Sequence, residues 1–109
     1  MSKIELLQGT LDLLVLRVLN AGPMHGFGIA QKIHLLSSAA LRIEEGSLYP
    51  ALYRMERKAW IVAEWGVSDN NRRAKFYQLT RAGRQQLAQE QATWARLSSA
   101  VGEVLAKAD

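Results

Sequence analysis

A chain of 109 residues has room for one domain and an added oligomerisation element. Its 49% hydrophobic content supplies a core, and its 22% charged content argues against disorder. The net charge of +4 favours an anionic partner, while the absence of cysteine excludes a disulfide framework, a cysteine nucleophile and a thiolate metal site. The surplus is uneven: residues 42–84 hold nine Lys/Arg against five Asp/Glu, whereas residues 1–41 sum to +1 and residues 85–109 to −1.

The apolar stretch from Ile4 to Leu19 contains Glu5, Asp12 and Arg17. It is too short and too charged to span a bilayer, so it reads as a core helix. Leu11, Leu14, Val15, Val18 and Leu19 keep helical spacing from Thr10 to Asn20. Thr10 is the expected N-cap, with Asp12 near the positive end of the helix dipole. Ala21-Gly22-Pro23 stops this helix. A second helix is expected from about Gly26 to Leu36, with Ile29, Ala30 and Ile33 inward. Ser37-Ser38 is a loop, and the alternation in Leu41-Arg42-Ile43-Glu44 predicts a very short strand.

A third helix is expected from about Glu45 to Lys58. Leu48, Ala51, Leu52 and Met55 form its apolar stripe, and Pro50 falls in or just past its first turn. The opposite face carries Ser47, Pro50, Tyr53, Arg54 and Arg57. Such small, aromatic and cationic groups suit a nucleic-acid groove. Tyr49 is turned to the flank, near Trp60 by helical angle. Trp60 to Trp65 then reads as a strand, with Ile61, Ala63 and Trp65 alternating against Val62 and Glu64. Ser68-Asp69-Asn70-Asn71 is turn chemistry, and Ala74 to Leu79 is the returning strand. The hairpin tip, Asn70-Asn71-Arg72-Arg73-Ala74-Lys75, is basic.

Thr80 reads as the N-cap of a long last helix from Arg81 to about Ala106. Leu87, Trp94 and Val101 are seven apart, with Leu97 and Val104 between and beyond. A heptad-like seam on a projecting helix needs cover, and the simplest cover is the same helix of a second subunit. The fold class expected is mainly α with a small β-hairpin wing: a winged helix-turn-helix over residues 1–80 and a C-terminal dimerisation helix over residues 81–109.

With these elements in place, the chain resembles the PadR family of bacterial transcriptional regulators over nearly its whole length. Four stretches carry the likeness: Gln8-Gly9-Thr10-Leu11-Asp12; Gly22-Pro23-Met24-His25-Gly26-Phe27-Gly28-Ile29; Glu45-Gly46-Ser47-Leu48-Tyr49-Pro50-Ala51-Leu52; and Asn71-Arg72-Arg73-Ala74-Lys75-Phe76-Tyr77-Gln78-Leu79-Thr80. The single final helix looks like the compact subfamily. The resemblance implies a cytoplasmic, homodimeric repressor that binds an inverted-repeat operator in double-stranded DNA. It also implies release by a planar hydrophobic small-molecule effector in some members. Two positions depart from the pattern. Phe27 stands where Tyr is common, and Ala59 stands before the Trp that opens the wing, where Gly is common.

The DNA-contacting set is therefore Ser47, Tyr49, Pro50, Tyr53 and Arg54 on the third helix, with Arg72, Arg73 and Lys75 on the wing. Arg54 is the candidate for a guanine edge or a phosphate; Ser47 and Tyr53 suit phosphates. Leu87, Trp94, Leu97, Val101 and Val104 form the dimerisation set. Trp94 reads either as dimer core or as a flat surface for an effector. His25 and His34 lack the partner pattern of a metal site, and His25 reads as a turn residue tied to backbone groups. No strand is expected before Gly26-Phe27-Gly28, and the third glycine of a nucleotide loop is absent. No metal, cofactor or catalytic constellation is expected, and the chain does not read as an enzyme. Two other functions fit a winged helix: a protein-docking module and a non-specific DNA binder.

Overall fold

The computed structural model describes residues 4–109. Its centre is α1 (Gln8–Leu19), which touches three helices and the sheet. Leu11, Leu13, Val15, Leu16, Val18 and Leu19 are all buried, so this helix is covered on more than one face. It starts earlier than Thr10: the Leu11 N–H already donates to the Leu7 carbonyl at 3.0 Å, and Leu7 is the N-cap without a side-chain bond. Asp12 thus lies beyond the first turn and is itself buried.

The hairpin strands β2 (Ile61–Val67) and β3 (Arg73–Leu79) pair antiparallel from Ile61 opposite Leu79 to Val67 opposite Arg73. A third strand, β1 (Met24–His25), pairs with β3 in the order β1-β3-β2. The expectation of a strand at Leu41–Glu44 is corrected, since that segment has no regular structure. The edge of β3 is occupied by Met24 and His25 instead, two residues too few for a periodic signal.

Next come α2 (Gly26–Leu36), with Ile29 and Ile33 buried, and α3 (Glu45–Arg57), with Leu48, Ala51, Leu52 and Met55 buried. Both burial patterns match the sequence spacing. Pro50 sits in the second turn of α3, where its missing N–H forgoes one helical bond. The carbonyl left free is that of Gly46, an exposed residue, so water can satisfy it. The end of α3 is a Schellman closure: Trp60 N–H donates to Met55 O at 3.0 Å and Ala59 N–H to Glu56 O at 3.0 Å.

The last helix, α4 (Arg81–Lys107), opens as predicted, with the Gly83 N–H donating to Thr80 Oγ1 at 3.0 Å. Its first turns belong to the core, where Gly83 and Leu87 are buried. From Gln91 onward every residue of α4 is exposed. The observed class is four helices with a small antiparallel sheet, which is a winged helix with a long C-terminal helix.

Candidate nucleic-acid interface

The outward face of α3 carries Ser47, Pro50, Tyr53 and Arg57, all exposed. The Arg57 guanidinium lies 5.8 Å from the Tyr53 ring centroid, which groups a cation and an aromatic on the same uncovered surface. Tyr49 is partly exposed and leans on the start of α2 rather than on Trp60. A Cβ on Gly26 would lie 2.7 Å from the Tyr49 hydroxyl, so glycine there lets the two elements close.

Arg54 does not join the outward set. Its Nη2 donates to Asp12 Oδ1 at 2.7 Å, and its Nε is buried without a hydrogen-bond partner. The sequence put Arg54 on the face opposite the apolar stripe, but α1 runs beside it and offers a buried carboxylate. The side chain turns to the charge and away from solvent.

In the wing, Ser68 N–H donates to Arg72 O at 2.8 Å and Asn71 N–H to Ser68 O at 2.9 Å. Asn71 takes the left-handed conformation (φ 59), which Asn tolerates better than most residues. Arg72 and Arg73 are exposed at this tip. The Arg73 guanidinium lies 4.7 Å from the centroid of the Trp65 ring. Lys75 is half-buried, donates to Glu56 Oε1 at 3.2 Å and sits 5.7 Å from the Tyr77 centroid. It ties the wing to α3, so part of its charge is neutralised inside the chain. Among the described residues Arg57, Arg72 and Arg73 form no ion pair.

Trp65 corrects the expected alternation of β2. It is 59% exposed, because the strand has left the core by that point and only Ile61 at its base is fully covered. Trp65, Arg73, Lys75 and Tyr77 face a cleft of about 950 Å³ that His25, Phe27 and Tyr49 close from the other side. The sequence reading did not single out Phe27 and Trp65 for this site. The available signal was a large aromatic placed further along its strand than the core extends.

His25 sits where the turn reading put it: its Nδ1 accepts from the Gly28 N–H at 3.0 Å and caps α2. His34 Nδ1 meets the Leu41 carbonyl at 3.1 Å and ties down the loop after α2.

An exposed helix face beside a basic hairpin, on a three-stranded winged-helix frame, is the arrangement of a regulator domain. A sequence profile of the transcriptional regulator PadR-like family matches residues 15–89. The chain belongs to the PadR-like family. It is 30% identical over 102 residues to an uncharacterised protein of Lysinibacillus sphaericus, with 93% of each chain covered. A PadR family transcriptional regulator from Eggerthella lenta DSM 2243 is 29% identical, with TM-score 0.76, over 94% of this chain and 86% of that one. A Streptococcus mutans UA159 structure shares the fold at TM-score 0.84 and 22% identity, covering 97% of this chain and 95% of the other. The PadR-like family is one of transcriptional regulators, not enzymes.

In this PadR-like chain the candidate dimerisation residues divide. Leu87 is 4% exposed and packs in the core of its own domain, so it is not available to a seam. One stripe position can serve either purpose, and α1 lies close enough to claim the one at the base of α4. Trp94 (47% exposed), Leu97, Val101 and Val104 remain uncovered, and Leu105 joins them. No helix of the described residues is long and apolar enough to cross a membrane.

Proposed function

We propose that this PadR-like regulator is a homodimeric, sequence-specific repressor that acts on chromosomal DNA in the cytoplasm. The observation that carries the reading is the uncovered face of α3 (Ser47, Pro50, Tyr53, Arg57) set beside a wing tip whose Arg72 and Arg73 lack ion-pair partners among the described residues. In this reading α3 enters the major groove. Ser47, Tyr49 and Tyr53 fix register, Pro50 packs on the groove wall, and Arg57, Arg72 and Arg73 neutralise phosphates, with Lys75 holding the wing at the right distance. Arg54 acts from behind the helix rather than in the groove.

The functional division falls within α4. Residues up to about Glu90 complete the DNA-binding domain, and the exposed remainder is the dimerisation arm. The stripe of Trp94, Leu97, Val101 and Val104 is apolar surface that a second copy would bury. Pairing the arms sets two copies of α3 about one helical turn apart, roughly 34 Å, which suits an inverted-repeat operator in double-stranded DNA. A planar hydrophobic effector bound at Trp94 would release the operator if it favours a dimer with different spacing.

The test is binding of the purified protein to duplex DNA from its own promoter across a salt series, against random duplex. Three phosphate-facing cations per protomer predict a log–log salt slope of about −5 for the dimer. Strong preference for the promoter with such a slope supports the reading. Equal binding to both DNAs would mean a non-specific binder. Absence of binding at low salt, with retained association to protein partners, would mean a docking module.

A further inference from the structure

The pair Asp12–Arg54 joins residues 42 positions apart and is a 2.7 Å charge-assisted hydrogen bond between α1 and α3. Asp12 is 6% exposed and is the only charged residue buried among the described residues. Lys58, the C-cap of α3, and Glu90 from α4 also bear on it electrostatically. Two elements, α3 with its C-cap and α4, thus bring charge to one buried carboxylate on α1. The arrangement is poor as a stabilising device. Burial pushes the Asp12 carboxyl above its ordinary range despite the nearby Arg54, and Arg54 Nε is left without a partner. A buried pair that does not repay its desolvation contributes geometry more than stability.

We propose that Asp12 and Arg54 are positioning residues that fix the tilt and rotation of α3 on α1, and thereby the register of Ser47, Pro50, Tyr53 and Arg57 on DNA. The proposal rests on the DNA-binding reading above. The physical reason is directional. The apolar stripe of Leu48, Ala51, Leu52 and Met55 holds α3 against the core but resists rotation and sliding weakly, because packing attraction has no preferred axis. A short charge-assisted hydrogen bond from the flank of the helix does have one. Arg54 is one residue from Tyr53 and three from Arg57, so any rotation it prevents is a rotation of the contacting face.

The test compares Asp12→Asn, Arg54→Ala and the double variant with the wild type, by promoter-DNA affinity across salt and by thermal unfolding. The expected result for Asp12→Asn is roughly tenfold weaker promoter binding, with the salt slope unchanged and the unfolding midpoint equal or higher. The double variant binds no worse than the weaker single variant, because both changes act on one contact: Asn removes its charge and Ala removes its donor. A purely structural role would instead move affinity and midpoint together and would overturn the proposal. Arg54→Ala lowering the slope by about two for the dimer, about one per protomer, with Asp12→Asn binding as tightly as wild type or tighter, would also overturn it and make Arg54 a phosphate ligand. Hydrogen exchange of the α3 amides without DNA separates this inference from the DNA-binding reading. Faster exchange in Asp12→Asn at an undiminished midpoint supports the bridge whether or not promoter DNA binds; identical exchange overturns it.

Discussion

The Thr80 hydroxyl donates to the Ala59 carbonyl at 2.6 Å, and Ala59 is held in the left-handed region at φ 61. The same hydroxyl lies 3.1 Å from the Trp60 carbonyl and accepts from the Gly83 N–H. One threonine therefore caps α4 and locks the turn between α3 and the wing. Alanine in a left-handed conformation costs about 1–2 kcal/mol, partly offset by the smaller entropy it loses on folding relative to glycine. Ala59→Gly is expected to stabilise the chain by about 0.5–1 kcal/mol. Urea unfolding at fixed protein concentration reads this directly, and a destabilised variant would show that Ala59 is not strained.

Gly83 is a stricter position. A Cβ there would lie 1.9 Å from the Trp60 carbonyl oxygen, a backbone atom that already accepts from the Thr80 N–H. Neither group can move without parting α4 from the wing. Gly83→Ala is expected to cost about 3 kcal/mol or more, despite alanine's better helix propensity. A melting temperature within a degree or two of wild type would contradict the close approach.

The wing cations differ in kind. Among the described residues Arg72 has no ion-pair partner, Arg73 lies against Trp65, and Lys75 is paired with Glu56. Arg72→Ala and Arg73→Ala should each weaken promoter binding and reduce the salt slope by about one per neutralised phosphate contact. Lys75→Ala should change the slope less, because its charge is already shared. Trp65→Ala should weaken binding with little effect on folding, since the ring is exposed and its role is to hold Arg73.

The position of Leu87 changes how the arm must be tested. Cutting after Gln85 would remove a core residue along with the arm. Ending the chain after Glu90 keeps Leu87 and removes only the exposed part of α4. That shortened chain should fold, run as a monomer by light scattering, and bind promoter DNA far more weakly than the full chain. A dimer from the shortened chain would place the interface elsewhere.

Asp12 supplies a pH dependence of known sign. Burial raises its carboxyl above 3.8 in the folded chain; Arg54 and Lys58 oppose the shift and Glu90 adds to it. Its favourable contribution is complete below the unfolded value and is lost as pH rises through the higher folded one. Wild type should therefore lose stability relative to Asp12→Asn as pH rises from about 4 through the raised folded value. Unfolding of both proteins at about pH 4.5 and pH 7 measures the difference, and the opposite trend would mean that Arg54 outweighs burial.

The local rules determined much of this molecule from the chain alone. Spacing of Leu48, Ala51, Leu52 and Met55 fixed α3 and its buried face, because helical geometry makes that face a property of the segment itself. Thr80 capped α4, Ser68 to Asn71 made the turn, and the Arg72-Arg73 pair marked the basic tip, all through interactions a few residues long. The destinations of Arg54, Leu87 and Trp65 were decided only by tertiary structure. Periodicity says which way a side chain leaves its helix or strand. It does not say which neighbour waits there: a carboxylate on α1 for Arg54, the shared core for Leu87, and open solvent beyond the last layer for Trp65.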